Sequence, residues 1–318
     1  MNSMRRRFMD GFKTALLGVH KTALRFNIVV LPNRYDTGVA DLNVLNNTKQ
    51  FWTPQSEMTG IHWDVNEQER LLGQVMLPFQ AEYRGNPSYR EATGSACGPG
   101  FGYVEAQALH GFIRHYQPRK VIEVGSGVST YCMLAASRLN RDSGGREQSL
   151  ICVEPYPRDW LRHAPVTLID TPVQQVGLDT FQSLEAGDLL FIDSSHAIQT
   201  GGDVNYLILE VLPRLKTGVL VHFHDINFPY DYPRDALTAL GSCQENALLH
   251  AFLAGNQRFQ VLFCLSLMHY ERPGALQRIF PEYKPQGNEQ GLRADAYPAF
   301  GEIQEHFPSS LYLSVVAD

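Results

Sequence analysis

The chain of 318 residues is long enough for one large α/β domain with an appended region. Apolar residues make up 44% and charged residues 19% of it, values that are ordinary for a globular protein and exclude a disordered or fibrous one. The net charge of -6 gives no basic footprint for extended binding of nucleic acid, so we expect a small-molecule or glycan substrate.

Cysteine usage and hydropathy indicate the compartment. The five cysteines contain no CxxC pair, which predicts reduced thiols that pack like small apolar side chains. No apolar stretch reaches the roughly 18 to 20 residues that a transmembrane helix needs. We therefore expect a cytoplasmic protein without a transmembrane segment, and a homo-oligomer is one open possibility.

The N-terminal segment is basic and then amphipathic. Apolar side chains recur at helical spacing over residues 8–25: Phe8, Phe12, Leu16, Val19 and Ala23. Asp10, Lys13 and His20 interrupt the apolar run, so a helix is predicted instead of a signal peptide. Whether the helix packs on the rest of the chain, on a partner chain or on a membrane surface stays open, and packing on protein is favoured.

The character of the sequence changes near residue 95. Residues 1–95 are rich in loop formers and scattered aromatics, with one helical stretch at about residues 67–77. This region is predicted to be a cap, or an extension on the substrate side. Residues 96–318 are predicted to form the main domain.

In the main domain, short apolar segments alternate with helical ones, which is typical of parallel βαβ units. The first helix covers residues 103–116, and later helices cover residues 129–141 and 203–215. The strands are predicted at residues 120–124, 150–153, 166–169, 188–192 and 218–223. Apolar runs at residues 259–270 and 311–316 are suitable for closing the sheet. The fold class is therefore α/β, a doubly wound, Rossmann-like, mostly parallel sheet.

A glycine-containing turn follows the first predicted strand: Glu123-Val-Gly125-Ser126-Gly127. Glycines let the backbone approach a ligand, and the following helix offers free N–H groups. The second strand ends at Glu154, where a nucleoside site places an acid to accept bonds from ribose hydroxyls. The alternatives are a turn that needs glycine for structural reasons alone and a solvated carboxylate at Glu154.

Glu123 separates two classes of cofactor. A carboxylate just before the glycines is unfavourable beside a pyrophosphate but suits a ligand that carries an ammonium and a sulfonium. S-adenosylmethionine is therefore favoured over a dinucleotide.

Polar side chains follow the fourth and fifth predicted strands. They are Asp193, His196, His224 and Asp225. Because neighbouring parallel strands end at one edge of the sheet, we expect these groups in one crevice, where they can hold a divalent metal or relay a proton. Asp225 as a turn cap and His222 as a core histidine are the structural alternatives.

Taken together, the glycine turn, Glu154, and the segments FIDSSH (residues 191–196) and VHFHDI (residues 221–226) resemble a group of bacterial class I S-adenosylmethionine-dependent methyltransferases. The resemblance covers most of the chain and implies a seven-stranded sheet with an antiparallel last hairpin. It implies that the methionyl portion of the cofactor is held by Glu123, Gly125, Ser126 and Gly127. It also implies that Glu154 holds the ribose and that Asp193 binds the cofactor as well.

The same resemblance, extended to catechol-type O-methyltransferases, implies a divalent metal held by Asp193, His224 and Asp225. Because His224-Asp225 replaces the usual acid or amide pair, the identity of the ion is open, and a metal-free mechanism remains an alternative. We expect methyl transfer to an oxygen of a small molecule or sugar, with His196 as general base and His224 in reserve. Rival functions are a metal-dependent oxidative enzyme on this fold and a non-catalytic cofactor-binding scaffold.

Overall fold

The computed structural model describes residues 3–33, 38–95, 97, 100–238, 243–285, 288–289, 291–293 and 307–317. By its internal packing the chain divides into two compact units, residues 1–52 and 53–318. The predicted domain boundary at residue 95 stays a prediction. The boundary between the two compact units lies after residue 52, because residues between 65 and 94 belong to the core of the larger unit. Leu72, Val75 and Met76 are fully buried in the same cluster as Phe112.

The smaller unit contains three helices: α1 (Ser3–Leu24), α2 (Leu42–Asn47) and α3 (Lys49–Trp52). The helix predicted for the N-terminal segment is therefore present. Helix α2 begins after Asp41, whose carboxylate accepts hydrogen bonds from the backbone N–H groups of Asn43 and Val44. Among the described residues, no helix is both long and apolar enough to cross a membrane.

The larger unit contains the remaining helices, which pack mainly on the two faces of one sheet. They are α4 (Val65–Met76), α5 (Gln80–Tyr83), α6 (Pro87–Gly94), α7 (Tyr103–Tyr116), α8 (Val128–Asp142), α9 (Asp159–Arg162), α10 (Leu178–Gln182), α11 (Asp203–Tyr206), α12 (Glu245–Leu253), α13 (Leu265–Glu271) and α14 (Pro273–Ile279).

The strands of the main sheet are β1 (Lys120–Val124), β2 (Ser149–Val153), β3 (Thr167–Ile169), β4 (Leu189–Ile192), β5 (Leu220–Phe223), β6 (Phe259–Cys264) and β9 (Leu311–Val315). A short hairpin joins β7 (Asn288–Glu289) to β8 (Leu292–Arg293). The main sheet has seven strands in the order β3-β2-β1-β4-β5-β9-β6. Strands β1 to β5 are parallel, and β9 runs antiparallel to both β5 and β6. The predicted fold class and the antiparallel closing strands are confirmed.

Two predicted elements differ from the structure. The apolar run at residues 259–270 is a strand only to Cys264 and then becomes helix α13, because an apolar run does not by itself distinguish a buried strand from a buried helix. The helix predicted at residues 203–215 is helix α11 followed by one turn of π-helix (Leu207–Val211) and one turn of 3₁₀-helix (Leu212–Arg214). Pro213 lacks the N–H that a continuing helix requires.

Strands β4 and β5 are buried along their whole length, because side chains from both of their faces enter hydrophobic clusters. Phe191 belongs to the cluster that contains helices α7 and α8, whereas Leu190 and Ile192 belong to the cluster on the opposite face. Polar groups that follow these strands therefore emerge at the carboxyl edge of the sheet, where parallel folds bind their ligands.

Candidate active site

The glycine loop, residues 125–127, connects β1 to α8. Gly125 has a φ of +79°, and a Cβ built there would lie 2.1 Å from the carbonyl oxygen of Asp193. Glycine is therefore required at this position by the close approach to the end of β4. Gly127 differs, since an added Cβ would make only an ordinary contact there, 3.9 Å from the carbonyl oxygen of Cys97.

Glu123 is completely buried beneath the glycine loop. Its carboxylate accepts hydrogen bonds from the hydroxyl groups of Ser129 (2.7 Å), Thr130 (2.6 Å) and Ser126 (3.2 Å), and from the thiol of Cys152 (3.3 Å). Burial raises the pKa of Glu123 to about 7, while these donors oppose the rise. Direct contact with the cofactor, predicted from the sequence, would require these bonds to break, because the carboxylate has no exposed surface.

Glu154 follows β2 and is half-buried. One carboxylate oxygen accepts the N–H of Ser126 (3.1 Å) and the other accepts the N–H of Tyr156 (2.8 Å). Each oxygen has a second lone pair, so the group retains acceptor capacity toward a ligand. Glu154 therefore links the glycine loop to the end of β2.

The structure brings Asp193, His196, His224 and Asp225 together at the ends of β4 and β5. The backbone fixes the two strand ends, since the N–H of His224 donates to the carbonyl of Ile192 at 2.9 Å. Asp193 Oδ1 lies 3.2 Å from His224 Nδ1 and 3.5 Å from His196 Nε2. Asp225 Oδ2 lies 3.4 Å from His196 Nε2 and 3.6 Å from His224 Nδ1.

Two further carboxylates, which sequence reasoning missed, hold the outer nitrogens of these histidines. Glu245, the first residue of α12, lies 2.8 Å from His196 Nδ1, and Glu105 on α7 lies 3.1 Å from His224 Nε2. Both carboxylates are fully buried. We call this set the histidine–carboxylate cluster: Glu105, Asp193, His196, His224, Asp225 and Glu245.

The carboxylates control the charge of both histidines. Burial alone would lower the pKa of His196, but Asp193 and Glu245 together raise it to about 10. Burial also opposes the charge on His224, yet its carboxylate neighbours hold the pKa well above its usual value. The pKa of Asp193 is lowered despite its burial, because both imidazoles face it. The raised pKa values favour the charged form of both imidazoles at neutral pH, so the role of general base stays a prediction that these contacts do not favour.

His222 lies on β5 beside this set but is not part of it. Its ring stacks on Phe191 at a centroid distance of 4.2 Å, and Nε2 contacts the hydroxyl of Ser310. Burial holds the pKa of His222 well below its usual range. His222 is thus a neutral core histidine, which was one of the two alternatives for it.

Comparison with known proteins gives a function class for the central part of the chain. Residues 122–226 match the model of a methyltransferase domain family. An uncharacterized protein of Archaeoglobus fulgidus is 38% identical over 90 residues, which cover 27% of this chain and 39% of that protein. The chain thus spans about two fifths of the length of this curated relative.

Solved structures with similar topology are more distant. A Thermobifida fusca protein provisionally named a methyltransferase has 9% identity and a TM-score of 0.32, covering 85% of this chain and 98% of that one. MycE methyltransferase of the mycinamycin pathway, solved with Mg and SAH, has 14% identity and a TM-score of 0.34, covering 73% of this chain and 54% of that one. Similarities of this size carry no argument about substrate or mechanism.

Proposed function

We propose that this chain is an S-adenosylmethionine-dependent methyltransferase that acts on an oxygen of a small molecule or sugar. The observation that carries the proposal is the match of residues 122–226 to a methyltransferase domain family. This span includes both the glycine loop and the histidine side chains that follow β4 and β5. The cofactor-binding and reacting groups of one site would then come from a single continuous stretch of the fold.

Contacts around the glycine loop support a nucleoside cofactor. Glu154 keeps acceptor capacity for ribose hydroxyls, and Gly125 leaves the backbone of the loop without a side chain where it approaches the end of β4. Glu123 acts indirectly, because its hydrogen bonds to Ser129 and Thr130 fix the first turn of α8. Transfer forms a bond between the acceptor oxygen and the methyl carbon as the carbon–sulfur bond breaks, leaving S-adenosylhomocysteine and the hydroxyl proton.

The histidine–carboxylate cluster suits a divalent ion held by Asp193, His224 and Asp225. A bound ion there would supply a lower pKa for an acceptor hydroxyl. The base role of His196 stays a prediction. Its contacts favour it less than the sequence does, because both of its ring nitrogens face carboxylates.

Ligand-dependent thermal stability tests the cofactor. S-adenosylmethionine and S-adenosylhomocysteine should each stabilise the folded chain, by about 2.7 kcal/mol at a hundredfold excess over Kd, whereas NAD should not. Calorimetry then supplies the affinities. Equal stabilisation by NAD, or no response to either sulfur nucleoside, would contradict the proposal.

Transfer itself is tested with a labelled methyl group. The chain is incubated with the labelled cofactor and sets of phenols, catechols, sugars and amines, and label in each acceptor is measured. Labelling of hydroxylated acceptors supports O-methylation. Label confined to the amines would overturn that part of the proposal.

One observation favours an oxidative enzyme as the second candidate. Asp193, His196 and His224 supply two imidazoles and one carboxylate, the ligand set of non-haem iron oxygenases. Redox-active iron in the purified protein, together with oxygen consumption and no methylated product, would favour this alternative.

A further inference from the structure

The histidines of the cluster are oriented by buried carboxylates from outside the strands. Glu245 lies on Nδ1 of His196, and Glu105 lies on Nε2 of His224. Because a carboxylate in these positions accepts, each of these ring nitrogens donates its proton outward. The other nitrogen of each ring, Nε2 of His196 and Nδ1 of His224, therefore faces Asp193 and Asp225. Outer carboxylates of this kind fix the tautomer and orientation of metal-binding histidines.

Both orienting carboxylates are themselves held in place. The second oxygen of Glu245 accepts from the hydroxyl of Ser194 at 2.9 Å. The second oxygen of Glu105 accepts from the Ser310 hydroxyl at 2.7 Å and from the Ser309 N–H at 3.0 Å. Neither carboxylate can turn away from its histidine without leaving a buried hydrogen-bonding group unpaired, which is unfavourable.

The backbone at two of the inner residues is held in an unfavourable conformation. His196 and Asp225 have φ values of +59° and +55°, which lie in the left-handed region. Residues other than glycine adopt this region infrequently. The beginning of α12 holds both, since the N–H of Glu245 donates to the carbonyl of His196 at 3.1 Å and Asn246 Nδ2 donates to the carbonyl of Asp225 at 3.0 Å. Strain fixed in this way is typical of functional sites.

The charges of the cluster call for a cation. Four carboxylates surround two imidazoles, and every ion pair that the structure describes for these carboxylates is with one of the two histidines. Two of these carboxylates, Glu105 and Glu245, are fully buried. A divalent ion between the imidazoles would compensate part of the negative charge of the cluster.

The spacing of the inner ligand atoms favours one class of ion. Asp193, His196 and His224 each offer one ligand atom, and these atoms lie within 4.8 Å of one another. Asp193 Oδ1 is 3.2 Å from His224 Nδ1 and 3.5 Å from His196 Nε2. Ligands at about 2.0–2.2 Å from a tetrahedral centre are about 3.3–3.6 Å apart. Ligands of an octahedral magnesium ion, at about 2.0–2.1 Å, are only about 2.9 Å apart at adjacent positions. Imidazole nitrogen also suits zinc, manganese or iron, whereas magnesium prefers oxygen.

We propose that Asp193, His196 and His224 form a site for a divalent first-row transition metal ion, with Glu245 and Glu105 as its orienting carboxylates. His196 is a ligand in this site. The proposal rests on the divalent-ion part of the proposed function but not on methyl transfer. Asp225, whose side chain is 47% exposed, lies 3.4 Å from His196 Nε2 on the side of the site that is open to solvent.

Metal binding to the full chain tests the proposal without any activity assay. Chelator-treated protein is titrated by calorimetry with Zn²⁺, Mn²⁺ and Mg²⁺, and a Co²⁺-loaded sample is examined by visible absorption. We expect Zn²⁺ or Mn²⁺ to bind at least a hundredfold more tightly than Mg²⁺, and Co²⁺ to give the strong absorption of a four-coordinate site. Equal affinity for Mg²⁺, or the weak spectrum of octahedral Co²⁺, would overturn the proposal.

Variants then separate the inner ligands from the outer carboxylates. Glu245→Gln should lose about 10–100-fold in Zn²⁺ affinity through the misoriented ring, and His196→Gln, which removes a direct ligand, should lose more than Glu245→Gln does. His163→Gln removes an exposed histidine elsewhere and should change nothing. Unchanged Zn²⁺ affinity in a folded His196→Gln variant would remove His196 from the ligand set. A tight transition-metal site without any methyl transfer would support this inference and count against the proposed function.

Discussion

Two groups of buried carboxylates lie at the carboxyl edge of the same sheet, and they are compensated in different ways. Glu123, under the glycine loop, is surrounded by hydroxyl and thiol donors, and its pKa rises to about 7. Asp193, at the end of β4, faces two imidazoles, and its pKa falls below its usual range although burial opposes this. The identity of the hydrogen-bond partners thus decides the direction of the shift.

The difference in partners distinguishes Glu123, which holds the glycine loop, from the histidine–carboxylate cluster, which is the proposed metal site. A carboxyl group among neutral hydrogen-bond donors can take up a proton without moving. No proton or hydrogen-bond partner then has to leave Glu123 when a ligand binds to the glycine loop. Carboxylates paired with imidazolium groups can instead exchange protons for a metal ion, since the imidazole nitrogens are themselves ligands. We therefore expect substitutions in the two regions to affect different measurements.

The largest effect is expected in the histidine–carboxylate cluster. His196→Ala should slow methyl transfer by about a hundredfold or more while leaving the affinity for S-adenosylhomocysteine nearly unchanged. Its imidazole contacts Asp193 and Asp225 but has no described contact with the glycine loop. Turnover with an acceptor found in the labelling screen, and calorimetry for binding, give the two numbers. Full activity of this variant, matched to a His163→Ala control, would mean that the cluster is structural.

A second prediction concerns Glu123 and the pH dependence of stability. A folded-state pKa raised from 4.5 to about 7 favours the protonated carboxyl group in the folded protein. Below pH 4.5 the group is neutral in both states and has no effect. As pH rises from 4.5 to 7, the folded state is progressively destabilised relative to the unfolded chain, by up to about 3 kcal/mol, and above pH 7 this loss stays constant.

The variant Glu123→Gln cannot ionise and isolates this contribution. Its free energy of unfolding, minus that of the wild type, should increase between pH 4.5 and 7 and then become constant. Urea unfolding at several pH values measures the difference, in which the other titrating groups cancel. A difference independent of pH would show that Glu123 has an ordinary pKa in the folded chain.

Much of the fold could be predicted from the sequence, because the five parallel strands are short apolar runs with helices between them. The edge at which Asp193, His196, His224 and Asp225 meet follows from the same pattern, since parallel strands place their carboxyl ends together. The switch at Cys264 from strand to helix could not be predicted, because the surrounding run is mostly apolar and such a run does not distinguish a buried strand from a buried helix.

The outer carboxylates could not be predicted for a different reason. Glu105 lies in a helix that is buried almost all round, and Glu245 begins a helix that starts 22 residues after the last residue of β5, so neither has a periodic signal. Their roles depend on how α7 and α12 pack against the sheet. One signal was present in the sequence: Glu245 is an acid at the start of the apolar run that follows Gln244. Acidic residues are seldom fully buried unless they have a partner.

The smallest expected effect concerns the ribose, at Glu154. Glu154→Gln should weaken S-adenosylhomocysteine binding by about tenfold, because the amide nitrogen cannot accept a hydrogen bond from a ribose hydroxyl. The amide oxygen can still accept one of the two N–H groups, from Ser126 or Tyr156, that now hold the carboxylate. Glu147→Gln, at an exposed site, is the matched control.

A ligand without the ribose hydroxyls separates recognition from a loosened loop. If Glu154 binds the ribose, the 2′,3′-dideoxy analogue of S-adenosylhomocysteine should bind the wild type about tenfold more weakly than the parent compound does. The Glu154→Gln variant should bind the analogue and the parent almost equally, because the partner of the hydroxyls is already gone. If the variant instead weakened both ligands by the same factor, Glu154 would act only by holding the glycine loop. Glu154 would then hold the glycine loop in place, as Glu123 does, and other residues would recognise the ribose.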